Sequence, residues 1–353
     1  MEQLDTTFLA LQVIWFCIIA ILFVGYFLLD GFDLGVSSCH LFTADPKERK
    51  VFLKSIGPVW DGNEVWLLTA GGALFAAFPS AYATIFSGLY WPFLLILFGL
   101  IFRGVGIEFR NKMELSYPNY DTWINRFDMA FAVGGVFTMF MIGVAIGNIV
   151  TGMSLSAKGD SIGSLLSLFS AYPLLAGVTT VCVLTTYGAL YLIHKVPLGN
   201  SPSAVVSLYD RSFMWAEKSW WLSFITVALV AVVAIIFYRR DHPLLPLVTI
   251  ATTVVGLMLL TMYHIKKRDA SMSFISWILT IVSIACFAVA LLFPNFVPIA
   301  IGGSGEAITL FNASSSKRTL IVMLIITLLT FPVVLGYTYW IYKIFKGRVT
   351  AEN

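Results

Sequence analysis

A chain of 353 residues with 59% hydrophobic and 12% charged residues, mean hydropathy +0.88 and formal net charge +3 is too apolar for a soluble protein of two or three domains. The small positive balance also excludes a nucleic-acid-binding chain; no nucleic-acid partner is expected. Repeated apolar runs of about 20 residues or more predict an all-α polytopic membrane protein, because unbroken runs satisfy their backbone in lipid as helices rather than barrel strands.

Nine spans are expected in chain order, at 8–36, 53–78, 81–106, 125–152, 162–194, 213–238, 244–264, 273–293 and 319–345. The first has no basic region before it and outruns a signal-peptide core, so no cleavable leader is expected. From Phe8 to Phe42 it would run ~50 Å as one helix. It must therefore tilt, protrude or break near Asp30-Gly31-Phe32-Asp33-Leu34-Gly35. Spans two and three meet at Phe78-Pro79-Ser80, a tight hairpin. Gly31/Gly35 and Gly143/Gly147 are GxxxG pairs, and Ala70-Gly71-Gly72-Ala73 is a further small-residue surface, all read as helix-packing sites. Trp15, Trp215, Trp220, Trp221 and Trp340 read as interfacial anchors. The connection 294–318 is the longest loop on its side and is expected to cap the bundle.

Charge sets the orientation. All but five of the 22 Lys and Arg residues fall on one side; the exceptions are Lys158, Arg239, Arg240, Lys317 and Arg318. Basic residues stay in the cytoplasm, so the N-terminus is expected outside and the C-terminus inside. Cys17, Cys39, Cys182 and Cys286 are scattered without a CxxC and read as small apolar residues.

The unusual stretch is Ser55-Ile56-Gly57-Pro58-Val59-Trp60-Asp61-Gly62-Asn63-Glu64-Val65-Trp66. It opens an apolar segment yet carries two carboxylates, an amide and two indoles. Charge in a membrane helix costs several kcal/mol, so it is normally paired, turned toward protein and functional. By rise per residue, Asp61 lies ~15 Å from the cytoplasmic entry of its span, Asp30 ~18 Å from the exit of span one and Arg103 ~10 Å from that of span three. Asp30, Asp33, Asp61, Glu64 and Arg103 thus fall at overlapping heights. Asp30/Asp33 and Asp61/Glu64 are i,i+3 pairs, each sharing a helix face. Four carboxylates against one arginine in low dielectric favour a cluster that holds an exchangeable proton, as a proton path from the cytoplasm requires. A structural ion-pair network that fixes helix register is the competing reading.

His40, His194, His242 and His264 all lie near helix ends or in loops, without the placement of a bis-histidine haem site. HExxH, P-loop and dinucleotide motifs are absent, so the chain is expected to carry no cofactor or metal of its own.

Asp30–Gly35, the run Trp60-Asp61-Gly62-Asn63-Glu64-Val65-Trp66 with its continuation to Pro79, Phe102-Arg103-Gly104-Val105-Gly106 and Gly143–Asn148 together resemble subunit II of the cytochrome bd quinol oxidases, including the cyanide-insensitive branch. The nine-span layout extends the resemblance over the whole chain. It implies one integral membrane domain: a four-helix bundle at 8–152 holding the polar cluster, a second at 162–293, and a peripheral helix at 319–345. It also implies a heterodimer with a subunit I that carries two haems b and one haem d. The complex would sit in the bacterial cytoplasmic membrane, oxidise quinol at the outer face and reduce O2 to water with cytoplasmic protons, generating a proton gradient. Asp61 would lie on the proton route into subunit I, with Asp30, Asp33, Glu64 and Arg103 around it. Trp66 would lie beside an oxygen-access tunnel. A structural quinone and small single-span accessory subunits are further implied partners. Many relatives carry glutamine at the position of Glu64. A scaffold subunit without a proton role, or a proton-coupled transporter, are the alternatives; polar breaks in one half of the chain disfavour the transporter.

Overall fold

Prolines and capping side chains cut the chain into eleven helices among the described residues. The computed structural model describes residues 5–349 apart from 115, 117, 154, 156–164, 197–202, 241 and 304, with the backbone alone at 165 and 203–207. Lys158 and the expected start of span five at 162 lie outside the described residues.

Helix α1 (Thr6–Leu41) starts where the Asp5 side chain accepts the Phe8 N–H and runs unbroken for 36 residues, straight through Asp30–Gly35. The expected second span is instead two helices. The amphipathic α2 (Pro46–Ile56), capped by Asp45, ends at Gly57-Pro58, and α3 (Trp60–Ala77) starts afresh. Pro58 has no N–H and breaks the ladder there. The expected third span is likewise divided into α4 (Pro79–Gly88) and α5 (Tyr90–Phe109), which meet at Leu89. Next come α6 (Tyr120–Thr151), closed by Gly152 at φ +86°, α7 (Ala171–Lys195), and α8 (Ser203–Val233) with a π-helical turn at Ala234–Tyr238. Then follow α9 (Leu244–Lys266), α10 (Ala270–Leu292) and α11 (Lys317–Ile344). Eight of these helices are long and apolar enough to cross a membrane. Helix α3 is not among them, because its first turn holds Asp61, Asn63 and Glu64.

Helix α1 is the hub and packs on α3, α6 and α7, while α5 lies along α6, α7 along α8, and α9 along α10. The closest approach is between α1 and α7. A Cβ on Gly35 would overlap the Leu184 carbonyl and the Gly188 backbone, and one on Gly188 would overlap the Gly35 backbone. Gly31 faces Leu184 and Tyr187, and Gly143 and Gly147 face Pro173–Gly177 of α7, so both GxxxG pairs are packing surfaces. Gly71 and Gly72 are not; nothing lies within 4 Å of a Cβ at either, and α3 presents them outward.

Two tryptophans expected at the interface are core residues. Trp15 and Trp220 are 1% exposed, and their indoles donate to the Leu320 and Met258 carbonyls. In the connection after α10, β1 (Asn295–Val297) pairs antiparallel with β2 (Ile308–Thr309). It lies across the ends of α1, α3 and α6: Ser315 donates to Ala76 and Ala77 carbonyls, Gln12 donates to Ser314, and the Met153 N–H donates to Pro298. The sparsely basic side coheres, with Lys317 on Asp5 and Arg240 on the last carbonyls of α6. Arg49, Arg110, Lys195 and Arg211 gather at the opposite end.

Gly35→Ala forces a methyl into the α1–α7 crossing and is expected to destabilise the protein by at least about 1–3 kcal/mol. A lower thermal midpoint in detergent checks this. Gly256→Ala inside α9, whose added Cβ meets nothing within 4 Å, should leave the midpoint unchanged or slightly raised.

Candidate functional site

The polar cluster forms where α1, α3 and α5 converge. Asp30 and Arg103 are both wholly buried and joined fork to fork: Nη1 donates to Oδ2 at 2.9 Å and Nη2 to Oδ1 at 2.5 Å. Arg103 also lies over the Trp60 indole, 5.9 Å from its centroid. Asp33, one turn along α1 and equally buried, accepts from Asn63 Nδ2 at 2.7 Å, and Asn63 Nδ2 also donates to the Leu29 carbonyl at 3.0 Å. Asn63 Oδ1 accepts from the Tyr342 hydroxyl at 2.9 Å. Three buried polar atoms here have no hydrogen-bond partner: Tyr26 Oη, Asp33 Oδ1 and Arg103 Nε. Such a polar remainder in an interior is normally completed by water or by a neighbouring chain.

The expectation of four carboxylates gathered on one arginine needs correction. Asp30 alone makes an ion pair with Arg103. Asp33 turns to Asn63, and Asp61 and Glu64 make no ion pair among the described residues. Asp61 is exposed and Glu64 half-buried. Together they line a groove of about 210 Å³ between α3 and α5, with Trp60, Leu97, Leu100 and Gly104. The surrounding surface is apolar, with Val65, Leu68, Leu97, Ile101 and Phe102 all exposed. Around a helix, Asp61 and Glu64 share one face while Asn63 points elsewhere, so α3 separates groove carboxylates from the α1 carboxylates.

Trp66 lies on the side of α3 away from the groove. Its indole packs against Gly25 of α1, where a Cβ would meet it at 2.5 Å, and stands edge-on to Phe331 of α11 at 6.0 Å.

A second buried network, missed by the sequence reading, ties the basic end. Asp128, 2% exposed on α6, accepts from Arg110 Nε at 2.6 Å and Arg49 Nη1 at 3.4 Å, with His40 Nε2 at 3.3 Å. Asp128 is the fourth residue of the span expected at 125–152, and a carboxylate inside that span was the signal that could have found it. Nearby, Arg211 pairs with Glu48 of α2 at 2.7 Å and donates to Thr43. Burial pushes the Glu48 carboxyl above its ordinary range, against the pull of Arg211 and Thr43. Tyr342 gave no sequence signal, since a tyrosine near a helix end reads as an interfacial anchor.

Asp30→Ala strands Arg103 as an unpaired buried charge and is expected to cost about 3–5 kcal/mol. Replacing both by apolar residues, Asp30→Leu with Arg103→Met, should recover most of that loss. Thermal unfolding of the two variants in detergent is the measurement.

The chain matches the family model described as cytochrome bd terminal oxidase subunit II over residues 11–345. It is 33% identical to "Cytochrome bd ubiquinol oxidase subunit 2" of Bacillus subtilis, over 98% of each chain. It is 32% identical to "Cytochrome bd-I ubiquinol oxidase subunit 2" of Escherichia coli K12, over 97% of this chain and 96% of that one. A chain in the structure of bd oxidase from Geobacillus thermodenitrificans shares its fold, with a TM-score of 0.72 at 14% identity, covering 95% of this chain and 98% of that one. With the family model spanning nearly every residue of the fold described above, this chain belongs to the cytochrome bd terminal oxidase subunit II family.

Proposed function

We propose that this chain is the non-haem half of a bd-type oxidase that oxidises quinol, reduces O2 to water and builds a proton gradient, and that its part is to hold subunit I and deliver cytoplasmic protons through Asp61. The observation that carries this reading is the placement of Asp61 and Glu64 on an outward apolar face. A carboxylate cannot face hydrocarbon there at acceptable cost, so the α3/α5 face is a contact surface for another membrane chain. That chain is subunit I, and the groove is where the two meet.

Protons enter from the basic end, which is the cytoplasmic one by the positive-inside rule; the N-terminus is outside. Asp61 takes up a proton at the groove and passes it along the interface into subunit I, with Glu64 beside it as the next acceptor. Arg103 and Asp30 hold the local field fixed, and Asp33 completes the buried side of the cluster. Helix α3 makes the ninth crossing. The first-half helices and α7 to α10 form two four-helix bundles, with α11 peripheral. Trp66 lines the oxygen-access side, and the apolar surfaces accommodate lipid, quinone and small accessory subunits.

The haems b and d belong to subunit I. In this chain His40 is engaged with Asp128, His194 stacks on Phe274 at 5.7 Å and His264 stands edge-on to Tyr263. These side chains sit at the ends of three different helices, each against a protein partner. The chain's contribution to turnover is proton supply and assembly.

A scaffold role alone is favoured by the Arg103–Asp30 pair, which ties α1 to α5 whatever protons do. Asp61→Asn separates the two. In the assembled two-subunit oxidase it should lower quinol-driven O2 consumption by about 10²-fold, as loss of a positioned proton carrier does, with haem content and subunit ratio unchanged. Loss of the haems along with activity would make the role structural.

A further inference from the structure

The peripheral helix reaches the polar cluster at one point. Along α11, Leu320 is the one buried residue, and most of the helix faces outward. Yet the chain just past its end is stitched to the end of α7. Lys195 Nζ donates to the Phe345 carbonyl at 2.7 Å, Arg348 donates to the Val196 carbonyl at 2.8 Å, and the Val349 N–H donates to the Lys195 carbonyl at 3.0 Å. These bonds fix the height of Tyr342 opposite Asn63.

Asn63 is fully engaged. Its NH2 group donates to the Leu29 carbonyl and to Asp33 Oδ2, and its oxygen accepts from Tyr342. Turning the amide over would set its oxygen against two acceptors, so this orientation alone makes all three bonds. The Asn63 bond is also the one hydrogen bond that Asp33 receives among the described residues, since its Oδ1 has none. Accepting at the amide oxygen polarises the amide N–H and strengthens its bond to the carboxylate. An amide does not pass protons at ordinary cost, so this chain of bonds holds a carboxylate rather than feeding it.

We propose that Tyr342 is a positioning residue for Asp33: its hydroxyl orients the Asn63 amide, and through it the C-terminal helix sets the geometry of the Asp30/Asp33 pair. This rests on the reading of that pair as the fixed field beside the proton route.

The test uses the complete two-subunit oxidase. Tyr342→Phe removes the hydroxyl and keeps the ring. It should slow quinol-driven O2 consumption by roughly three- to tenfold, the rate equivalent of one hydrogen bond. Quinol KM and haem content should stay as in the parent, while the pH–rate profile is displaced. Tyr339→Phe, an exposed hydroxyl on the same helix, should change neither rate nor profile. In an Asn63→Ala background, Tyr342→Phe should have no further effect. If Asn63→Ala does not assemble, the rate and pH profile of Tyr342→Phe against Tyr339→Phe decide alone. The inference is overturned if Tyr342→Phe matches the parent in rate and profile, or adds its full effect on Asn63→Ala. Asp33→Asn separates the two layers: if it slows turnover and Tyr342→Phe does not, the inference fails and the reading of the cluster stands; if neither slows it, both fall.

Discussion

The buried fork of Arg103 on Asp30 is the constraint from which the rest of the site follows. Both side chains are shut away from water, where each alone would cost several kcal/mol, and they persist because each supplies the other's charge and geometry. A planar guanidinium donating two parallel bonds fixes the rotation of α5 against α1, not merely their distance. Gly99 and Gly106 on α5 and Gly134 on α6 then let α5 lie close on α6, since a Cβ at any of them would meet backbone at 3.0 Å or less. With α1 and α5 set, Trp60 closes over the guanidinium, and the first turn of α3 is carried into place with its carboxylates.

That first turn divides labour by helical phase. Asn63 looks back to α1 and α11, while Asp61 and Glu64 look out through the groove. The inner carboxylates are thus locked by arginine and amide, and the outer ones are left available. A pair held rigidly in low dielectric provides a fixed field, whereas a carboxylate at an interface can exchange protons with whatever covers it. The break at Gly57-Pro58 contributes to this arrangement. It frees α3 from the axis of α2 and leaves α2 as an amphipathic helix at the basic end, pinned by Glu48 to Arg211.

The basic end is built on the same economy of paired charge. Asp128 gathers Arg110 and Arg49 beside His40, joining α1, α2 and α6 below the cluster. The other end uses no such network among the described residues. There the β1–β2 connection covers the helix ends with backbone bonds and apolar contacts such as Phe296 on Phe16 and Phe78.

Much of this was legible in the residues, because membrane solvent imposes simple rules. Apolar runs marked the eight helices long enough to cross a membrane, and charge inside apolar stretches drew attention to Asp30, Asp33, Asp61, Glu64 and Arg103. Rise per residue sets the expected height of each along its helix, a one-dimensional quantity that needs no packing. What the chain could not declare was rotation and partnership. Whether Asp61 faces Arg103 or the outside depends on how α3 is turned by its neighbours, and Tyr342 meets Asn63 across 279 positions because α7 holds the end of α11. Trp15 and Trp220 show the same limit: their residue type suggested the interface, and tertiary packing buried them against carbonyls that accept their N–H groups. Position along a helix can be read from the residues; only the packed helices decide which way a side chain looks.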